Sequence, residues 1–268
     1  MGSNWRRQQR LWRAGGIATI AVLWSICAGA IAAPGVGQLK LGPPSLPTLQ
    51  VRPLPESLSN AAVTADRGDY LDRIEPTLLG YLLWSQFPIR VYVEPSPTPG
   101  ERQTLTSQQV RVWQQAVDGA LQEWGAYLPL ERVLEPEAAD ITVRYQSPKL
   151  RITRDPETGR LRSRARAGET RYEFYVRREP TGSPTLAHRM FVDLAPTSSL
   201  RALQATARHE LGHAMGLWGH SEDPTDALYL KQVGEPPPIS SRDANTLIRL
   251  YQQPSRLGGA LPLIAEDR

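Results

Sequence analysis

The chain has 268 residues, 22% of them charged and 40% hydrophobic, with a formal net charge of +4 and one cysteine. That length holds one domain of ordinary size plus tails. Arg6, Arg7, Arg10 and Arg13 account for the whole excess of positive charge, so a charge-driven nucleic-acid partner is excluded; one cysteine excludes intramolecular disulfides and cysteine-based metal sites.

Residues 1–32 read as a signal peptide. Four arginines and no acid precede the apolar run Ile17–Ala33, and Ala30-Ile31-Ala32 offers the small residues of a cleavage site. Left uncleaved, the same run would be a short membrane anchor, the only route to a membrane; either way the rest of the chain is exported, to an extracellular or periplasmic location. Residues 33–83 form a Pro-rich linker and short N-terminal segment, extended from Pro34 to about Glu56 and with a helix kinked at Pro76 over 66–84. Arg67-Gly68-Asp69 within it reads as a turn or helix start.

A domain spans 84–255, followed by a tail at 256–268. Pro88–Val93 alternates as a half-buried strand. Ser107 caps a helix to about Trp124, with Val110, Trp113, Val117, Ala120, Leu121 and Trp124 on one face. Strands are expected at Leu130–Val133 and Ile141–Tyr145, a charged loop around Asp155-Pro156 over 147–160, and further strands within Leu161–Val176 and Arg189–Leu194. A helix runs from near Ser199 to Gly216, and Ser240 or Ser241 opens a last one to about Gln252. This order predicts an α+β domain with helices packed on a twisted sheet.

The chemistry concentrates in His209-Glu210-Leu211-Gly212-His213-Ala214-Met215-Gly216-Leu217-Trp218-Gly219-His220, which holds three of the four histidines. Residues four apart share a helix face, so His209 and His213 can present two imidazoles to one ion. Gly216 can take a positive φ, end the helix and return His220 as a third. Three neutral nitrogens plus an open position for water make a catalytic zinc arrangement, and Glu210 is placed to hold that water. Asp223 or Asp226 could replace His220 as ligand, or shape the loop. His188, alone near a strand start, reads as structural.

The run from His209 to Tyr229, including His220-Ser221 and Asp223-Pro224, resembles the metzincin clan of zinc endopeptidases and, within it, the matrixins, particularly the exported matrixin-like proteins of cyanobacteria. The resemblance implies a zincin-like fold: a twisted mixed sheet of about five strands, three main helices, and an active-site helix ending at a glycine turn. It implies His209, His213 and His220 as Zn2+ ligands, Glu210 as general base, and a protein or peptide substrate lying along an edge strand within Arg162–Val176. The alternating Arg162, Arg164 and Arg166 would then favour acidic substrates, or protect an exposed edge from aggregation. Three features depart from the family. One extra residue separates Gly216 from His220, Leu228 stands where the turn beneath the metal carries methionine, and no cysteine is available to shield the metal. The expectation is a monomeric, exported zinc endopeptidase; the alternative is a non-catalytic envelope or extracellular metal-binding protein on the same scaffold.

Overall fold

The computed structural model describes residues 46–61, 67–95, 107–154, 159, 161–164, 166–178, 182–196, 199–231 and 236–261. The expected signal peptide and the start of the linker lie outside them. The described residues belong to one compact unit, an α+β body of seven strands and three main helices. The strands are β1 (Ile89–Val93), β2 (Leu130–Val133), β3 (Ile141–Tyr145), β4 (Arg151–Arg154), β5 (Leu161–Arg164), β6 (Gly168–Arg177) and β7 (Thr185–Leu194). The helices are α1 (Ser107–Gly125), α2 (Leu200–Ala214) and α3 (Ser241–Tyr251).

Five strands form one mixed sheet in the order β2-β1-β3-β7-β6. β1 runs parallel to β2 and β3, and β3 parallel to β7, while β6 pairs antiparallel to β7 over its whole length. The register aligns Val91, Ile141 and Met190, and beside them Val143 with Val192, so an apolar row crosses the sheet. All five are fully buried. Alternation places Arg90, Arg144, Arg171 and Arg177 on the other face. There Asp193 accepts from Arg144 at 2.6 Å and Arg171 at 2.8 Å, and Asp140 from Arg90 at 3.1 Å and Arg177 at 2.6 Å. Each buried carboxylate thus meets two guanidinium groups, which offsets the cost of removing its charge from water.

α1 and α2 pack together on the apolar face. Trp113 and Trp124 are fully buried, and each indole nitrogen is satisfied, by Leu194 O at 3.3 Å and Arg208 O at 2.8 Å. At roughly 25 cal/mol per Å2 over some 200 Å2, each tryptophan contributes about 5 kcal/mol before entropy. Ser199 caps α2 through Ala202 N, and Ser240 with Asp243 forms a reciprocal capping box on α3.

Two expected elements differ. No α-helix forms over the described residues 67–84: Leu71–Arg73 is a 3-10 turn, and Gly80 turns at φ 89°. Tyr70, Ile74, Leu79, Leu82 and Leu83 nonetheless enter the core, as does Leu58, so this stretch follows the contours of the body rather than a helical period. The charged loop at 147–160 contains β4, which pairs with β5 as a separate antiparallel hairpin. The expected strand at 161–176 is consequently two strands. At the tripeptide 67–69, Arg67 is in a 3-10 turn and Gly68 is left-handed at φ 65°; Gly68 O accepts from Asn245, and Asp69 meets Arg249. Among the described residues no helix is long and apolar enough to cross a membrane.

Candidate metal centre

α2 brings His209, Glu210 and His213 to one side, and its end is a Schellman turn. Gly216 N bonds to His213 O at 3.0 Å and Leu217 N to Gly212 O at 3.1 Å, with Gly216 at φ 112°. A side chain at Gly216 would also meet Leu82 O at 2.5 Å, so both backbone angle and space require glycine. The reversal returns the chain to His220. The three imidazole rings stand 4.8 Å (His209–His213), 4.8 Å (His213–His220) and 5.3 Å (His209–His220) apart, centre to centre.

Each histidine offers one ring nitrogen to a shared point, all within 4.8 Å of one another, so the group could hold a metal ion. The tethers fit that use. His209 Nδ1 contacts Ala227 O at 2.9 Å and His213 Nδ1 contacts Leu217 O at 2.7 Å. Carbonyls accept only, so both rings carry their proton on Nδ1 and keep Nε2 as a lone pair. Burial drives His213 well below the ordinary imidazole range, aided by His209 and His220, and drives His220 down to about 3, aided by His209. Neutral imidazole is the ligating form.

Glu210 lies beneath β6. A Cβ on Gly168 would fall 2.6 Å from Glu210 Cγ, so the edge strand passes this close only because residue 168 has no side chain. Thr170 Oγ1, on the same strand, lies 2.7 Å from Glu210 Oε2 and 2.8 Å from Glu210 O, and donates to the carboxylate. Burial raises the Glu210 pKa above the usual carboxylate value, against the opposing pulls of His209, the Thr170 hydrogen bond and Arg166.

The floor is Leu228, fully buried against the helix backbone; a Cβ on Gly212 would meet its Cδ2 at 2.6 Å. The turn carrying it hangs from Asp243, whose Oδ2 accepts from Ala227 N at 2.8 Å and Ser240 N at 2.7 Å, while Tyr70 OH donates to Oδ1 at 2.5 Å. Asp243, Ala227 and His209 therefore form one continuous chain of hydrogen bonds. Asp226 accepts from Ser221, Ser240 and Arg242, and Asp223 caps Thr225 at 2.9 Å; both shape the loop, and the metal-ligand group contains neither. His188 is on β7, stacked on Trp84 at 4.0 Å and outside the triad. The side chains of Arg162 and Arg164 fall outside those described; Arg166 pairs with Glu169 at 2.7 Å.

The three histidines expected from the sequence lie together, with Glu210 next to His209 on the same helix. Sequence reasoning missed Thr170, which carries no local signal because its partner lies forty positions away. It also missed the role of Asp243, although Ser240-x-x-Asp243 is a capping signature visible in the sequence. Trp218, the bulky residue of the loop before His220, stands edge-on to Tyr172 of β6 at 4.9 Å and to His213 at 5.7 Å. No protein-family model matches the chain, and no curated protein matches it.

Proposed function

We propose that this protein is a zinc-dependent endopeptidase of zincin-like, matrixin-like build, with His209, His213 and His220 as metal ligands and Glu210 as general base. The observation that carries the reading is the joint placement of a three-imidazole donor set and a carboxylate hydrogen-bonded by Thr170 of β6, the last strand of the sheet among the described residues. Three histidines without a thiolate suit zinc in its catalytic form, which leaves a fourth position open.

A zinc ion held there would supply Lewis acidity and bring the pKa of water toward 7. The remaining steps belong to the chain. Glu210 accepts the proton of the attacking water and returns it to the departing amide nitrogen; a carboxylate raised by burial is suited to both transfers. Thr170 holds the acceptor oxygen in place. Among the described residues β6 pairs with β7 alone, so its other edge would offer main-chain groups to an extended peptide, which would add as a further strand. Tyr172 and Trp218 form an aromatic wall beside His213. The proposed location is outside the cytoplasm, on the strength of the basic start and apolar run at 1–32.

The test is metal analysis of the purified protein together with peptide-library cleavage. We expect one zinc per chain and cleavage that a chelator stops. Glu210→Gln should abolish turnover while zinc affinity stays within a few-fold of wild type. Zinc binding without cleavage of any library peptide would instead favour a metal-binding protein.

A further inference from the structure

We propose that the segment Tyr70–Glu75 is a strap that positions the third metal ligand, so that metal retention depends on a part of the chain far from the histidine run. The inference rests on the metal reading above. It begins with the loop between Gly216 and His220, which is one residue longer than the motif it resembles. That loop supports itself poorly: its internal bonds, Trp218 N to Gly216 O at 2.6 Å and Gly219 N to Leu217 O at 2.9 Å, each span only two residues, the geometry of tight γ-type turns. His213 Nδ1 at Leu217 O and the Trp218 ring against Tyr172 hold its first half, and the part next to His220 needs a further support.

The strap provides it. Ile74 forms an antiparallel bridge with Gly219, and Glu75 N donates to Trp218 O at 3.2 Å. On the far side of His220, Arg73 pairs with Glu222 at 3.1 Å. The ligand is therefore bracketed by strap contacts before and after it. Gly219 makes this approach possible. A Cβ on Gly219 would lie 2.0 Å from Arg73 O, 2.9 Å from Arg73 C and 3.1 Å from Ile74 Cα, so the two backbones meet at a separation that only glycine allows.

The strap is itself anchored. Ile74 and Tyr70 are buried, Tyr70 N donates to Thr246 Oγ1 at 3.0 Å, and Tyr70 OH donates to Asp243 at 2.5 Å. Through Asp243 the same segment reaches the turn that tethers His209. Two of the three ligands are thus held from residues 70–75, one directly and one through α3.

The experiment uses the full chain with Zn2+ and Co2+ as probes. Zinc affinity is measured by chelator competition, and the ligand set is read from the visible spectrum of the cobalt form. Gly219→Ala should weaken zinc at least tenfold, the scale of losing an outer support of a ligand, and should reduce the cobalt absorption as an imidazole gives way to solvent. Arg73→Gln should weaken zinc by a few-fold. Gly125→Ala, where an added Cβ meets nothing within 4 Å, should change neither readout. Since coupling is reciprocal, zinc must also slow hydrogen exchange at the Glu75 amide in the wild type, and this measurement decides the matter should Gly219→Ala fail to fold. Equal zinc affinity in Gly219→Ala and wild type, or exchange at Glu75 that ignores zinc, overturns the strap alone. A wild type that binds no zinc overturns the metal reading and the strap together.

Discussion

Thr170→Val removes one hydroxyl from the candidate site and keeps the side chain's shape and branching. In the wild type that hydroxyl lies 2.7 Å from Glu210 Oε2, a charge-assisted bond in a half-buried setting. Hydrogen bonds to charged groups are worth about 1.5–3 kcal/mol, and every 1.36 kcal/mol is tenfold in rate. If Glu210 acts as the base and depends on Thr170 for its orientation, kcat/KM for peptide hydrolysis should fall roughly 10- to 150-fold. The fold should tolerate the change, since valine suits a strand and Thr170 pairs with Val192 of β7. Zinc affinity should hold, because the Thr170 hydroxyl bonds to Glu210 and not to a histidine. Thr170→Ser restores a hydroxyl at the same carbon and should recover most of the rate. The assay is steady-state cleavage of a fluorogenic peptide alongside chelator competition for zinc. A Thr170→Val protein that cleaves within twofold of wild type would refute the argument, as would one whose lost activity is matched by lost zinc.

His188 is buried with its Nε2 unsatisfied, and burial pushes its pKa from 6.5 down to about 3, with Asp140 pulling the other way and Arg177 adding to the depression. The unfolded chain therefore binds the proton first as pH falls. Stability conferred by neutral His188 is whole above pH 6.5, erodes from there down to about 3, and amounts to a loss of about 3 kcal/mol at pH 4.5. Urea titrations at pH 7.5 and 4.5 should show that difference shrink in His188→Leu. Leu228→Ala removes a fully buried side chain from beneath α2; a cost of about 3 kcal/mol should lower Tm by about 6–12 °C in calorimetry. Asp243→Asn replaces acceptors that face Ala227 N, Ser240 N and Tyr70 OH with an amide that can satisfy only some of them. It should weaken zinc 10- to 100-fold, and an unchanged affinity by isothermal titration would remove Asp243 from the support of His209.

What the sequence disclosed follows the range of the interaction behind each feature. The ends of α2 and α3 were legible because Ser199, Gly216 and Ser240 act on backbone groups within a few positions of themselves. The amphipathic face of α1 was legible for the same reason, and so was the donor set, since His209 and His213 are one helical turn apart. The sheet order was not, because parallel neighbours such as β3 and β7 lie far apart in sequence. Residues 66–84 misled because an apolar run can be buried without helical period: Pro76 and the left-handed Gly80 break it into pieces that each find a separate part of the core. β4 was hidden by its charge, since its extended form goes with pairing to β5, and its Ile152 is exposed. Thr170, Asp243 and Tyr70 could be seen as residue types, but their partners are supplied by tertiary contact alone.

The hydrogen bonds from Tyr70 to Asp243 and Thr246 join positions 173 and 176 apart. Closing so long a stretch of chain carries a conformational entropy cost that local helices never meet. A growing polypeptide that has already exposed all three imidazoles still lacks α3, and with it the support for the turn holding His209. If the proposed centre needs that support, it depends on a helix made only after all three imidazoles.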